Sequence, residues 1–167
     1  MNEHEDFQLI ETILWRDGDG FFLLEEHLER LGRSAAHFGF SFSYSDLAAA
    51  LAFAGTTLEQ GADYRVRLLL ARGGQADITT ARIPPSAAPA TSLPVAGIAA
   101  ARVDSADEFL RHKTTRRALY DETLAACRAA GVYDAVFMNE RGEVAEGAWN
   151  NVLVEKGGRV KTPPVDC

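Results

Sequence analysis

Cysteine is nearly absent: the 167 residues hold two, Cys127 and Cys167. Two isolated thiols build neither a disulfide framework nor a zinc site. Lysine is almost as scarce, at three residues, Lys113, Lys156 and Lys161, and no basic run exists in a chain of formal net charge -7. Phosphate backbones and anionic membrane surfaces are gripped by clustered Lys and Arg, so nucleic acid and membrane are excluded as expected partners. No stretch approaches the roughly 20 consecutive apolar residues of a membrane span. The opening MNEHEDF lacks the apolar run of a secretory signal, which makes the cytoplasm the expected location. Proline is rare outside one place: four of six fall in PPSAAPATSLP, residues 84–94, which reads as an extended connector.

What is present is globular. Hydrophobic residues make up 47% and charged residues 25%, enough to build a core at this length. Phe7 to Trp15 is rich in β-formers, Asp17–Gly20 is a turn signal, and Phe21 to Leu24 reads as the returning arm of a hairpin. Leu24, Leu28, Leu31, Ala35 and Phe38 follow helical spacing up to Gly39. A second helix is expected from about Tyr44 to Ala54, with Ser43 and Asp46 as a capping box and Gly55 as its stop. Tyr64 to Ala71 and Ala76 to Ile83 predict a hairpin around Gly73-Gly74, and Val95 to Val103 predicts a further strand. The first lobe, a mixed sheet with two helices, is therefore expected to span 1–103. The second lobe, 104–167, opens with a short segment and a helix from about Arg116 to Ala130. In that helix Leu119, Thr123, Ala126, Cys127 and Ala130 are expected to share the apolar face. Strands are expected at Tyr133 to Met138 and Asn151 to Val154, with Glu143 to Ala145 pairing back after an Asn139–Gly142 turn. The fold class is α+β.

Three constellations have the composition of a site. His112-Lys113-Thr114-Thr115-Arg116-Arg117 places an amine beside guanidinium groups, which would lower its pKa toward a nucleophile or base. Glu146-Gly147, at the end of a predicted strand, has the form of a carboxylate aimed at a ligand from the mouth of a sheet. Arg30 lies at the margin of the Leu28/Leu31 face, where a guanidinium can bind an anion bidentately. Taken singly, each also reads as solvated surface: a charged helix start, a turn glutamate, a helix arginine.

In order and spacing these segments resemble one family. LIET (9–12), HLERL…SA (27–35), HKTTRR…Y (112–120), YDAVFMNERGEVAEGAWNN (133–151) and TPP (162–164) look like the class IV, or fold type IV, pyridoxal-phosphate enzymes. That family includes branched-chain and D-amino-acid aminotransferases and aminodeoxychorismate lyases. HKTTRR with Tyr120, and the NERGEV-x-E segment, look most like the lyase branch.

The resemblance implies a two-lobed fold of the D-amino-acid aminotransferase kind, pyridoxal 5′-phosphate as cofactor, a small-molecule amino substrate and a homodimer. It implies that Lys113 is the Schiff-base lysine and moves the α-proton, and that Glu146 pairs with the cofactor's pyridine nitrogen. Arg30 matches the arginine of the cofactor phosphate, and Arg67 the strand arginine near the substrate carboxylate. Asn151 is expected to fix the loop carrying Glu146, and Tyr120 and Arg117 to support the cofactor. In the lyase branch the substrate is 4-amino-4-deoxychorismate, split into pyruvate and 4-aminobenzoate, a folate precursor. The alternative within the family is transamination of branched-chain or D-amino acids. Family members continue past the TPP into a phosphate-holding loop and a further half-lobe, so the second lobe is expected to be truncated. That raises a reading of another class, a non-catalytic fragment or interaction protein with the family's fold.

Overall fold

The computed structural model describes residues 7–85 and 93–164. The described part of the chain forms two compact units. Residues 7–85 with 112–115 make the first, and residues 93–111 with 116–164 the second.

The first unit is a four-stranded antiparallel sheet under two helices. Its strands are β1 (Leu9–Arg16), β2 (Gly20–Phe21), β3 (Asp63–Leu70) and β4 (Ala76–Arg82), in the order β2-β1-β3-β4. The expected return arm is short. Only Gly20 and Phe21 pair back onto β1, and helix α1 (Leu24–Phe38) starts where the arm was expected to end. Along β1 and β3 the side chains alternate, so Leu9, Ile13, Val66, Leu68 and Leu70 form one buried face. Leu28 and Leu31 of α1 close over that core with Leu51 of helix α2 (Tyr44–Thr56), each contributing about 1.5–3 kcal/mol by burial. Gly39 ends α1 at φ 70°, as its position predicts.

Ser43 does cap α2, its hydroxyl accepting from the Asp46 N–H at 3.4 Å. Gly55, however, lies inside α2 rather than stopping it. The reason is packing: a Cβ there would stand 3.2 Å from Trp15 Nε1 and 3.3 Å from the Phe21 ring. Glycine lets β1 and β2 press directly on the helix.

The second unit holds β5 (Ala96–Val103), helix α3 (Ala118–Ala129), β6 (Asp134–Asn139), β7 (Val144–Gly147) and a hairpin of β8 (Val154–Lys156) and β9 (Arg159–Lys161). β5 runs parallel to β6, and β7 antiparallel to β6, giving the sheet order β5-β6-β7. This moves the expected boundary. The strand over 95–103, read as the end of the first lobe, belongs to the second, because its hydrogen-bonding partner is β6. Residues 86–92 of the proline-rich connector, and Cys167, lie outside the described residues.

Val103, Leu124, Ala135, Phe137 and Ala148 make the second core, with Tyr120 and Cys127 packed against it. The inward face of α3 is thus 120/124/127. Leu119, placed on that face by its spacing, is 39% exposed instead. The helix begins two residues later than expected, at Ala118, and the alanines dilute the apolar stripe, so spacing alone did not choose the face. The strand expected over 151–154 is also displaced: only Val154 pairs, in the β8–β9 hairpin.

Candidate active site

In the first unit, β1 carries a glutamate into the core. The Glu11 side chain is 1% exposed and faces α1, where His27 and Arg30 stand one turn apart. Arg30 Nε donates to Glu11 Oε1 at 2.8 Å and Arg30 Nη2 donates to Oε2, a bidentate pair, while His27 Nδ1 meets Oε2 at 2.7 Å. Burial by itself would push the Glu11 carboxyl up. The hydrogen bonds and charges of Arg30 and His27 outweigh it and hold the group below the usual carboxylate range. Glu11 in turn raises the guanidinium of Arg30, against the effect of burial. Arg30 therefore carries a fixed orientation and a secure charge, with its side chain 43% exposed.

The Lys113 segment belongs to the same unit. Leu9 and Thr114 form an antiparallel bridge; the Ile10 N–H donates to the Lys113 carbonyl at 2.8 Å, and the Thr115 N–H to the Gln8 carbonyl at 2.9 Å. The Gln8 N–H donates to Thr115 Oγ1 at 2.9 Å. Residues 113–115 thus extend the sheet alongside β1 by a short strap. Strand alternation puts Thr114, 4% exposed, on the side of Leu9 and Glu11. Thr12 and its cross-strand partner Arg67 lie on the other side. Arg67 is exposed there.

In the second unit, Glu146 sits on β7 opposite Phe137 of β6. The Tyr120 hydroxyl donates to Glu146 Oε1 at 2.6 Å. The tyrosine ring leans on Phe137 at 4.9 Å, and the Arg117 guanidinium lies 5.2 Å from its centre. Burial first, then the hydrogen bond and charge of Glu146, push the Tyr120 phenol far above its usual range; only Arg117 pulls it down. The phenol keeps its proton and acts as a donor that aims the carboxylate. Tyr120 also lines a cleft of about 430 Å³ with Arg102, Phe109, Leu110, Arg116 and Leu119. Arg116 and Arg117, read from sequence as charges crowding Lys113, have partners within this unit. Arg116 stacks on Phe109 at 4.1 Å, while Arg117 donates to the Ala148 carbonyl at 2.6 Å and pairs with Asp121 at 3.6 Å.

The loop after Glu146 is fixed by a residue that sequence reasoning passed over. Asp134, 5% exposed, accepts from the Trp149 N–H at 3.2 Å and from the Asn150 N–H and Nδ2 at 2.9 and 2.7 Å. Asn150 makes these bonds, and Asn151, expected to fix this loop, is exposed beside it. A charged residue opening an otherwise apolar strand, as Asp134 opens AVFM, was the available signal. Gly147 is required here, because a Cβ would stand 2.2 Å from the Asn150 carbonyl oxygen. Gly147→Ala is expected to cost about 1–2 kcal/mol by forcing the loop outward. Urea unfolding, together with loss of protection at the Trp149 and Asn150 amides, checks it; unchanged protection would mean the contact is not a constraint.

A family model for amino-transferase class IV matches residues 8–167. The chain belongs to that family. The family is pyridoxal-phosphate-dependent, and the fold agrees. A "putative amino-acid aminotransferase" from Mesorhizobium loti shares 36% identity with the chain at a TM-score of 0.87, over 97% of this chain and 77% of that one. A hypothetical aminotransferase from Mycobacterium tuberculosis, in its PLP-bound form, has the same fold at 22% identity and TM-score 0.80, over 95% and 62% of the two chains. A "putative 4-amino-4-deoxychorismate lyase" from Legionella pneumophila does so at 21% identity and TM-score 0.74, again over 95% and 62%. The chain thus spans less than two thirds of the last two relatives. No curated protein matches it. Among the described residues no helix is long and apolar enough to cross a membrane, and no cluster of side chains suits a metal ion.

Proposed function

We propose that this class IV chain carries the acid–base and cofactor-holding residues of a lyase that splits 4-amino-4-deoxychorismate into pyruvate and 4-aminobenzoate. The observation that carries the reading is the meeting of Tyr120 and Glu146 at 2.6 Å. They come from the two segments whose residues look most like the lyase branch, HKTTRR…Y and NERGEV-x-E.

Pyridoxal 5′-phosphate fits the residues present. A carboxylate aimed by a neutral phenol suits a protonated ring nitrogen, and a guanidinium held charged by Glu11 suits a phosphate. Glu146 would take the first and Arg30 the second, with Lys113 as the covalent attachment. When bound, the cofactor supplies an electron sink for the charge left as a proton departs from the amine-bearing carbon. Lys113 would remove that proton. The bond from the ring to the enolpyruvyl oxygen would then break, the enolpyruvyl methylene carbon would take up the proton as pyruvate leaves, and the ring would become aromatic. The atoms of the substrate equal those of the two products, so neither water nor an oxidant is consumed. Arg67, exposed on the first sheet, would hold a substrate carboxylate.

The 36% identity to the Mesorhizobium loti protein favours a second reading, amino-group transfer from an amino acid to a 2-oxo acid. The same residues would serve it, with Lys113 moving the proton taken from the amino acid. The test supplies cofactor-loaded protein with 4-amino-4-deoxychorismate and measures pyruvate and 4-aminobenzoate. In parallel it offers L- and D-amino acids with 2-oxoglutarate and measures glutamate. Equal amounts of pyruvate and 4-aminobenzoate are expected. Glutamate without pyruvate would replace the lyase by the transferase, and neither product from cofactor-loaded protein would leave a non-catalytic member of the family.

A further inference from the structure

His112 is held by α1 rather than by the elements that flank it in sequence. Arg111 and Arg116 belong to the second unit, yet residues 112–115 are part of the first. Ser34 Oγ and His112 Nδ1 are hydrogen-bonded at 2.9 Å, and Ser34 is 3% exposed. The imidazole stacks on His37 at 4.5 Å and meets the edge of Phe38 at 4.7 Å. Ser34 lies four residues after Arg30, so one face of α1 presents both the phosphate candidate and the serine that holds His112.

We infer that His112, latched through Ser34, is a positioning residue for Lys113. One bridge, two backbone hydrogen bonds and one to the Thr115 hydroxyl tie the strap to β1. A short extra strand at the edge of a sheet frays readily. A polar group latched inside an aromatic cluster just before the lysine adds a restraint from α1. It fixes the main chain from which the Lys113 amine reaches. A catalytic amine works only within a narrow range of reach and angle, so its main-chain anchor controls its effective concentration. The role assigned to the amine rests on the proposed function; the latch itself does not.

The test compares Ser34→Ala, His112→Ala and His112→Asn with the wild type. Asparagine puts an amide near the place of Nδ1 and is the conservative variant. The first readout is amide hydrogen exchange at Ile10 and Thr115, the donors of the two strap hydrogen bonds. Ser34→Ala and His112→Ala should speed exchange there about tenfold, the equivalent of one lost hydrogen bond, with Val66 and Leu68 of β3 unchanged. His112→Asn should restore most of the protection. The second readout is reductive labelling with pyridoxal phosphate and cyanoborohydride, mapped by peptide mass spectrometry. Lys156 and Lys161, both exposed, are internal controls. Labelling of Lys113 should fall at least fivefold in the two alanine variants and hold at the other lysines. Unchanged exchange at Ile10 and Thr115 overturns the latch, as does faster exchange spread evenly over β1 and β3, which marks general destabilisation. If the strap amides are loosened but wild-type Lys113 is labelled no faster than the controls, the latch stands and the proposed function fails.

Discussion

Lys113→Ala is expected to abolish covalent retention of pyridoxal phosphate and to lower any turnover by at least about 10⁴-fold, since the proposed nucleophile and proton carrier are lost together. The expectation is sharp because the chain offers two competing lysines only, Lys156 and Lys161. Both are exposed on the β8–β9 hairpin. The substitution should also leave the fold alone. The hydrogen bonds of the strap use the Lys113 carbonyl and the Thr115 N–H, so alanine preserves them. The measurement is an absorbance titration with the cofactor, then borohydride reduction and mapping of the modified residue. Wild type should carry the adduct at residue 113, and the variant should carry only slow background at 156 and 161. A variant that retained the cofactor band would remove Lys113 from the mechanism. Absence of the band in both proteins would favour the non-catalytic reading of this chain.

Glu11→Gln should destabilise the first unit by about 2–3 kcal/mol. Breaking a buried ion pair from one side ordinarily costs about 3–5 kcal/mol. The lower figure applies because Arg30, 43% exposed, can recover water when its partner is lost. The pH dependence separates charge from packing. The Glu11 carboxyl is held below its ordinary value of 4.5 in the folded chain. Its stabilisation is therefore complete above about pH 4.5 and is lost as pH falls through the depressed folded value. Wild type and Glu11→Gln should differ most near neutrality and converge in acid, followed as midpoint temperature from pH 7 downward. A constant difference across that range would make the glutamine's packing, not the lost charge, the cause. The variant should also weaken cofactor binding if Arg30 holds the phosphate, because Glu11 sets the guanidinium's orientation.

Much of this was readable in the residues. The helical spacing of Leu24 to Phe38, the Gly39 stop and the Gly73-Gly74 hairpin came from local rules that tertiary contacts did not override. The family itself was legible, because the order and spacing of the LIET, HLERL, HKTTRR and Glu146 segments survive in a single chain. Where local rules failed, packing had decided. Gly55 reads as a stop until Trp15 and Phe21 are seen pressing on it. The face of α3 was mistaken because alanines on several sides leave the stripe undefined until Phe137 selects Tyr120 and Leu124. β5 was given to the wrong unit because a parallel partner lies far along the chain, and no turn joins it to β6.

The sequence alone was enough to determine the family and the α+β class, since those depend on residue types and their order. Only the tertiary structure decided what each charged group does. It buried Glu11 beneath Arg30, turned Tyr120 onto Glu146, tied Trp149 and Asn150 to Asp134, and latched His112 to Ser34. Hydrogen bonds at 2.9 and 2.6 Å join side chains 78 and 26 positions apart, and no local pattern encodes which polar side chain ends beside which. That choice is made when the apolar faces close, because each buried charge must then find its partner among the groups that packing brings within reach.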